Sequence, residues 1–420
     1  MNHVNSKVVL GLGAAALVAI VAASLLSSQR KPAAETVQSG GYAVPALRDH
    51  VNDVTGVTVT AAENKPLLSL ARTDRGWTVK EKGGYPADSG KLRELLLKLA
   101  DASLLEQKTA SEQRYPELGV EDTRGKEAKG LKISLEGLAK PEALIVGNFN
   151  AKSGGTFVRR PDDKQSWLAK GNLTVDRDPS HWLDKTITDI GSNRIAEVVL
   201  SRPGGKSLRV YRDHLGDADF KVADLSTGKE LSSAGAANGL ASTLGDLTLQ
   251  DVVPAAEAKA PADGQQRKAS YRTFDGIKVD VTAWKDGDKH YARFTAVLEQ
   301  AKAEAHIQET QAKAKTDFEA KLKDDPKLTP PPEVADPAKD REGRLGTLAS
   351  EAADLTRRFE GWIFVIPPFK YVNMDKTMDD LVKAPTPAKP EAAKAEPAKR
   401  AAKAPEAKKP EPKKPSAGKP

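Results

Sequence analysis

Six histidines, at positions 3, 50, 181, 214, 290 and 306, are the side chains of this 420-residue chain best suited to hold a metal or move a proton. No two of them stand four apart, the spacing that sets a pair of imidazoles on one helical face, and there is no cysteine to complete a tetrahedral set. His181-Trp182 follows Asp178-Pro179, an order that reads as a turn carrying a tryptophan inward, with a ligand pocket as the other reading. Ser226-Thr227-Gly228-Lys229 has the spacing by which a lysine activates a serine in penicillin-recognising enzymes. There the motif opens a helix and works with Ser-Asp-Asn and Lys-Thr-Gly partners, which this chain lacks, so 226–229 reads as a turn. Asp217, Asp219 and Asp224 lack the central glycine and terminal bidentate acid of a calcium loop and read as solvated hairpin residues. Gly83-Gly84, Gly154-Gly155 and Gly204-Gly205 are turns between strands, and no phosphate-cradling glycine loop or Gly-x-Ser-x-Gly elbow is present. We therefore assign no catalytic, cofactor-binding or metal-ligating residue, expect no cofactor, and read the chain as non-enzymatic.

The elements that would position any site repeat. Val54, Val57 and Val59, followed by Leu67-Leu68-Ser69-Leu70, are echoed 141 residues later by Ile195, Val198 and Leu200, followed by Leu208-Arg209-Val210-Tyr211. Each copy continues through a strand holding an aromatic, Trp77-Thr78-Val79 and Phe220-Lys221-Val222, into an apolar stretch, Leu92–Leu105 and Leu240–Leu249. A long internal period describes architecture. The alternating runs predict an α+β fold of mostly antiparallel sheets in two related lobes built from a duplicated β-β-β-α-β unit. Asp88 or Ser89 caps a helix over Lys91–Asp101, whose leucines at 92, 95, 96 and 99 form one face. In the second copy a weaker helix runs from Ala236 to Leu244, and Asp286-Gly287-Asp288 turns a long hairpin. Leu298–Lys323, dense in Ala, Lys, Glu and Gln, predicts a solvated helix; Leu345–Phe359 predicts an amphipathic one, ahead of the buried strand Trp362–Ile366.

The two ends differ from the middle. Val8–Leu26 runs nineteen residues without a charge. At about 1.5 Å per residue it nearly matches a hydrocarbon core of roughly 30 Å, which predicts an uncleaved N-terminal transmembrane helix. Lys7 lies on one side and Arg30-Lys31 on the other, so charge alone leaves its orientation open. Residues 384–420 hold ten Lys or Arg and four Glu, a net of +6 out of the chain's +7, and their Ala/Lys/Pro/Glu composition predicts a disordered tail. The tail reads either as a solubilising spacer or as an arm for anionic polymers or lipid headgroups; its lysines lack the interleaved aromatics that stack bases, so nucleic acid is not an expected partner. The absence of cysteine excludes disulfides, a cysteine nucleophile and an acylated-cysteine lipoprotein anchor. The expected organisation is an anchor over 1–28, a linker over 29–50, lobes over 51–188 and 189–300, a charged helical insertion over 301–344, a closing helix and strand over 345–383, and the tail.

Taken in order, the anchor, Gly76-Trp77-Thr78-Val79, Tyr85-Pro86-Ala87-Asp88, the Leu118-Gly119 loop, Leu144-Ile145-Val146-Gly147, Thr156-Phe157-Val158-Arg159 and Gly361-Trp362-Ile363-Phe364-Val365-Ile366-Pro367 resemble bacterial proteins grouped as domain of unknown function 4340, over roughly residues 50 to 375. The resemblance implies an envelope protein with one N-terminal anchor and its soluble part outside the cytoplasmic membrane. Relatives are associated with ABC-type export and gliding-motility-like transporter components. It brings no activity and no catalytic residue, and the charged insertion and the tail depart from the simplest family pattern. The expected function is thus a non-catalytic, single-pass inner-membrane accessory or scaffold protein with a periplasmic body. It would contact the membrane through residues 8–26 and transporter subunits through its surface. A periplasmic binding module holding a glycan or small ligand between the lobes is the competing expectation.

Overall fold

A computed structural model of the protein describes residues 41–383. The expected anchor at 8–26 and the tail at 384–420 lie outside the described residues. Among the described residues no helix is long and apolar enough to cross a membrane.

The first half is built on β1 (Gly56–Thr60), β2 (Pro66–Thr73), β3 (Gly76–Val79) and β4 (Tyr85–Pro86), then helix α1 (Ser89–Ala100), strand β5 (Leu104–Gln107) and the single-turn helix α2 (Tyr115–Leu118). It closes with β6 (Leu131–Glu136), β7 (Glu142–Asn150), β8 (Gly155–Arg159) and β9 (Ser166–Lys170). The strands form one antiparallel sheet in the order β4-β3-β2-β1-β6-β7-β8-β9-β5. Alternation drives it: Val57 and Val59 point into the core, and so do Ile133 and Leu135 on the neighbouring strand. The Asp88 carboxylate starts α1 by accepting the Lys91 amide N–H at 2.9 Å, and Leu92, Leu95, Leu96 and Leu99 bury the face that the spacing predicts.

The second half contains β10 (Thr186–Thr188), β11 (Ile195–Ser201), β12 (Leu208–Tyr211), β13 (Lys221–Val222), α3 (Asn238–Ala241), β14 (Leu247–Thr248), β15 (Asp251–Pro254), β16 (Arg267–Thr273), β17 (Ile277–Asp286) and β18 (Lys289–Leu298). Three helices come next, α4 (Gln300–Leu322), α5 (Pro332–Ala335) and α6 (Pro337–Phe359), and then β19 (Trp362–Val365) and α7 (Pro368–Met374). The main sheet runs β13-β12-β11-β16-β17-β18-β19-β15, again antiparallel throughout, and β10 and β14 form a small ribbon. From β3 to β5 the first sheet has the same strand order as the second from β13 to β15, and in both a strand located in sequence between the helix and the later strands of the sheet, β5 and β15, is added at the far edge.

Helix α6 starts at Pro337, ahead of the Leu345 start expected from the apolar pattern. The Asp336 side chain accepts the Lys339 N–H at 3.1 Å and Pro337 occupies the first turn, so capping chemistry sets the start, not apolar periodicity. Helix α4 buries only Ala303, Ile307 and Gln311, all in its first half, in keeping with its charged composition.

One continuous apolar core runs through both halves. At the seam, the buried Tyr85 ring meets Trp362 edge-on at 5.1 Å between centroids and Phe364 at 6.2 Å. Lys82 reaches across to Asp251 at 2.7 Å. Gly83, at φ +64°, packs against Pro254 and Trp362 with no room for a Cβ.

Candidate functional site

The richest gathering of charge lies in a cleft of about 460 Å³ between the outer face of the second sheet and α4. Glu197 of β11 is paired directly with Arg272 of β16, and both side chains emerge on the same face because they share a register position. Arg272 donates to Glu197 at 2.8 Å and to Glu299 at 3.2 Å, while Arg209 of β12 donates to Glu197 at 2.5 Å and lies over the Tyr211 ring. Lys302 of α4 approaches Glu299 at 3.2 Å, and His306 and Phe274 complete the wall. Burial pushes the Glu197 carboxyl up, but hydrogen bonds and charge from Arg209 and Arg272 outweigh it and hold the group below the ordinary glutamate value. Glu299 behaves alike: burial raises it, and Arg272 and Lys302 bring it down further. These carboxylates are each committed to a guanidinium or ammonium, so the network joins α4 to the sheet and leaves neither of them as a free general base.

The network carries a stability window. Because both folded values lie below those of the unfolded chain, the contribution is complete at neutral pH and is lost as pH falls through the folded values, under about 4.5. Amide protection across Gln300–Gln311 is expected to drop in that acid range and to stay flat between about pH 6 and 8. Protection unchanged at about pH 3.5 would remove this role from Glu197 and Glu299.

A second cleft, about 400 Å³, lies beside α1. Here His181 Nδ1 and Asp176 Oδ2 are 2.7 Å apart, Lys91 sits over the Trp182 ring at 4.9 Å, and the Trp182 indole N–H donates to the Asp176 carbonyl at 3.1 Å. Burial raises the Asp176 carboxyl, and the His181 hydrogen bond, the Asp178 amide and Lys91 together bring it below the usual aspartate range. Trp182 is buried in a turn, as its context predicts, and His181 stands on the rim.

The other singled-out residues are dispersed. His50 pairs with Asp53, His214 donates its amide to Asp217, and the His290 ring packs on Tyr371 at 4.7 Å; His3 is outside the described residues. Ser226 accepts the Lys229 amide at 3.0 Å in a tight turn, and the Lys229 ammonium reaches Asp379, not the serine. Asp217 accepts two backbone amides, Asp219 takes the Asn238 side-chain amide, and Asp224 sits at φ +55° in a turn. Among the described residues no group of three or more His, Asp or Glu is placed to hold a metal ion. Alternation in Ile195–Ser201 and Leu208–Tyr211 marks Glu197 and Arg209 as outward, but their partnership with Arg272 depends on a pairing some 75 residues distant in sequence.

The motif residues behave differently from the clefts. Gly147 has no side chain, and the carbonyls of Leu118 and Gly119 lie where one would be. Arg159, buried, donates to the carbonyls of Val120, Arg160, Pro161 and Asp163 and covers the Tyr115 ring at 4.7 Å, while the Tyr115 hydroxyl donates to the Lys164 carbonyl at 2.6 Å. These residues fasten one loop over the sheet, above the small cluster Tyr115, Val120 and Ile145. The Tyr85 and Trp362 motifs meet at the seam.

No curated protein and no solved structure matches the chain. A family model, described as a domain of unknown function (DUF4340), matches residues 77–268. That stretch opens at Trp77 and takes in Tyr85, Gly147 and Arg159, the residues that close the seam and fasten the loop, and over it this chain is similar to the DUF4340 family.

Proposed function

We propose that this protein is a non-catalytic, membrane-tethered accessory or scaffold component of an envelope transport complex, with a periplasmic body made from a duplicated β-β-β-α-β unit. The observation that carries the reading is where the family's residues go: Tyr85, Gly147 and Arg159 serve packing and loop closure, whereas the clefts are lined by charges spent on one another. The common strand order of the two sheets supports duplication. Residues 8–26 support a tether, and the family resemblance supports the compartment and the transporter context. We favour a scaffold over a ligand held between the lobes because Tyr85, Trp362, Phe364 and the Lys82–Asp251 pair occupy the seam where that ligand would sit.

Reporter fusions test the placement. Alkaline phosphatase joined after Gly41 and after Val382 is expected to be active at both points, with a cytoplasm-only fluorescent reporter dark at both. Fluorescence at both would place the body inside the cell and sink the proposal. With the periplasmic result in hand, cross-linking in intact cells is expected to recover integral membrane transporter subunits, and a monomeric, partner-free product would count against the scaffold role.

A further inference from the structure

We propose that the outer face of α7 is a docking surface for an anionic lipid bilayer, with Phe369 and Val372 entering the headgroup layer and the lysines of residues 384–420 supplying the charge. Phe369 and Val372 are 64% and 54% exposed, more than any other large apolar side chain among the described residues, and at a spacing of three they share one face of the helix. The helix cannot turn that face inward. On its other side Tyr371 and Met374 are buried, the Tyr371 ring lies against His290, and the Lys370 ammonium is held by the carbonyls of Ser242 and Gly245 at 3.1 and 2.5 Å. Asp375, just past the helix, is gripped by Arg202 and Arg267.

The chain leaves the described residues at Lys383, soon after α7, in a segment fixed by the Leu231–Val382 bridge and the Lys383–Glu230 pair. Residues 384–420 carry a net charge of +6 and no aromatic residue. A polybasic segment near an anionic surface gains about 1 kcal/mol per cation, and stable attachment to such a surface takes two signals together. The tail has charge without apolar insertion and α7 has apolar insertion without free charge, so the two are complementary halves of one interfacial contact. The inference rests on the membrane-tethered reading.

Since the chain has no cysteine, Val372→Cys in the full-length protein accepts a single environment-sensitive fluorophore. In phosphatidylcholine vesicles with about 30% phosphatidylglycerol the probe is expected to shift to the blue and to be quenched by spin-labelled lipid, and in phosphatidylcholine alone to remain accessible to iodide. Ending the chain after Lys383 removes all six net cations and is expected to lower the shielded fraction far more than tenfold, to the level seen in phosphatidylcholine alone. A probe at Val297, itself exposed on β18, should stay aqueous. Iodide access at 372 in the anionic vesicles would overturn the proposal. Equal shielding at 297 would reduce it to non-specific adsorption, and shielding without phosphatidylglycerol that grows with protein concentration would mean a second copy covers the face. Co-flotation that survives high salt while the 372 probe stays aqueous would overturn this contact and leave the tether standing. Flotation with anionic vesicles alone, reversed by salt and accompanied by a shielded probe, would support the contact and remove the tether.

Discussion

Tyr85→Ala is expected to lower the stability of the folded body by about 3–5 kcal/mol, the range for deleting a large buried aromatic. Tyr85 is 2% exposed and belongs to the edge strand β4 of the first sheet, yet its ring is seated on Trp362 and Phe364 of the second. Its loss removes two edge-on aromatic contacts and opens a void at the only place where these three rings meet. Urea unfolding followed by tryptophan fluorescence should show the midpoint falling steeply and, if the halves differ in their own stability, a single transition splitting into two. Tyr85→Phe keeps the ring, and its change should stay within about 1.5 kcal/mol. An alanine variant within about 1 kcal/mol of the parent would mean that the seam is held elsewhere, with Lys82–Asp251 the next pair to remove.

Gly147→Ala is expected to be nearly as damaging, at about 3 kcal/mol, although it adds a single methyl group. The added Cβ would stand 2.8 Å from the Gly119 carbonyl oxygen and closer still to that of Leu118. Both obstacles are backbone, which cannot rotate away. The loop must lift, and lifting it draws the Val120 carbonyl away from the buried Arg159 guanidinium, whose Nε then loses its acceptor while the carbonyls of Pro161 and Asp163 stay in place. Gly264→Ala is the control: its Cβ would meet nothing within 4 Å, and its effect should lie within about 0.5 kcal/mol. Equal midpoints for the two variants would show that the Leu118-Gly119 loop moves freely and that Gly147 is not a packing residue.

These two sites also mark how far the amino-acid sequence could be read. The leucine spacing of α1, the Asp88 cap and the two-residue hairpin in which Asp286 faces Lys289 are local, and local chemistry settles them. The antiparallel α+β character comes from alternation along single strands. What alternation does not carry is who pairs with whom. β1 bonds to β6 across an intervening helix, and β5 waits for β9. The Glu197–Arg272 clamp needs a register fixed by that long-range pairing, and the demand on Gly147 comes from a loop some thirty residues earlier in sequence. A glycine in a strand is visible as a weak spot; that another backbone segment rests on it is visible only in three dimensions. The start of α6 is the opposite case, since Asp336-Pro337 is a legible cap that the sparse apolar pattern around it overshadows.

The place of β19 has a bearing on how the polypeptide is made. Among the described residues β15 is paired along one side only, and its strand partner is β19. As the chain emerges from a ribosome or a translocation channel, residues 251–254 are delivered well before 362–365, and through that interval their amide and carbonyl groups have no strand to meet. The first sheet is complete once Lys170 is out, so it can fold during synthesis and serve as a platform. The second must hold its last edge open until nearly all of the folded body exists. A premature stop anywhere in α4–α6 would therefore release a molecule with one finished half and one adhesive edge, the kind of product that quality-control proteases and chaperones recognise.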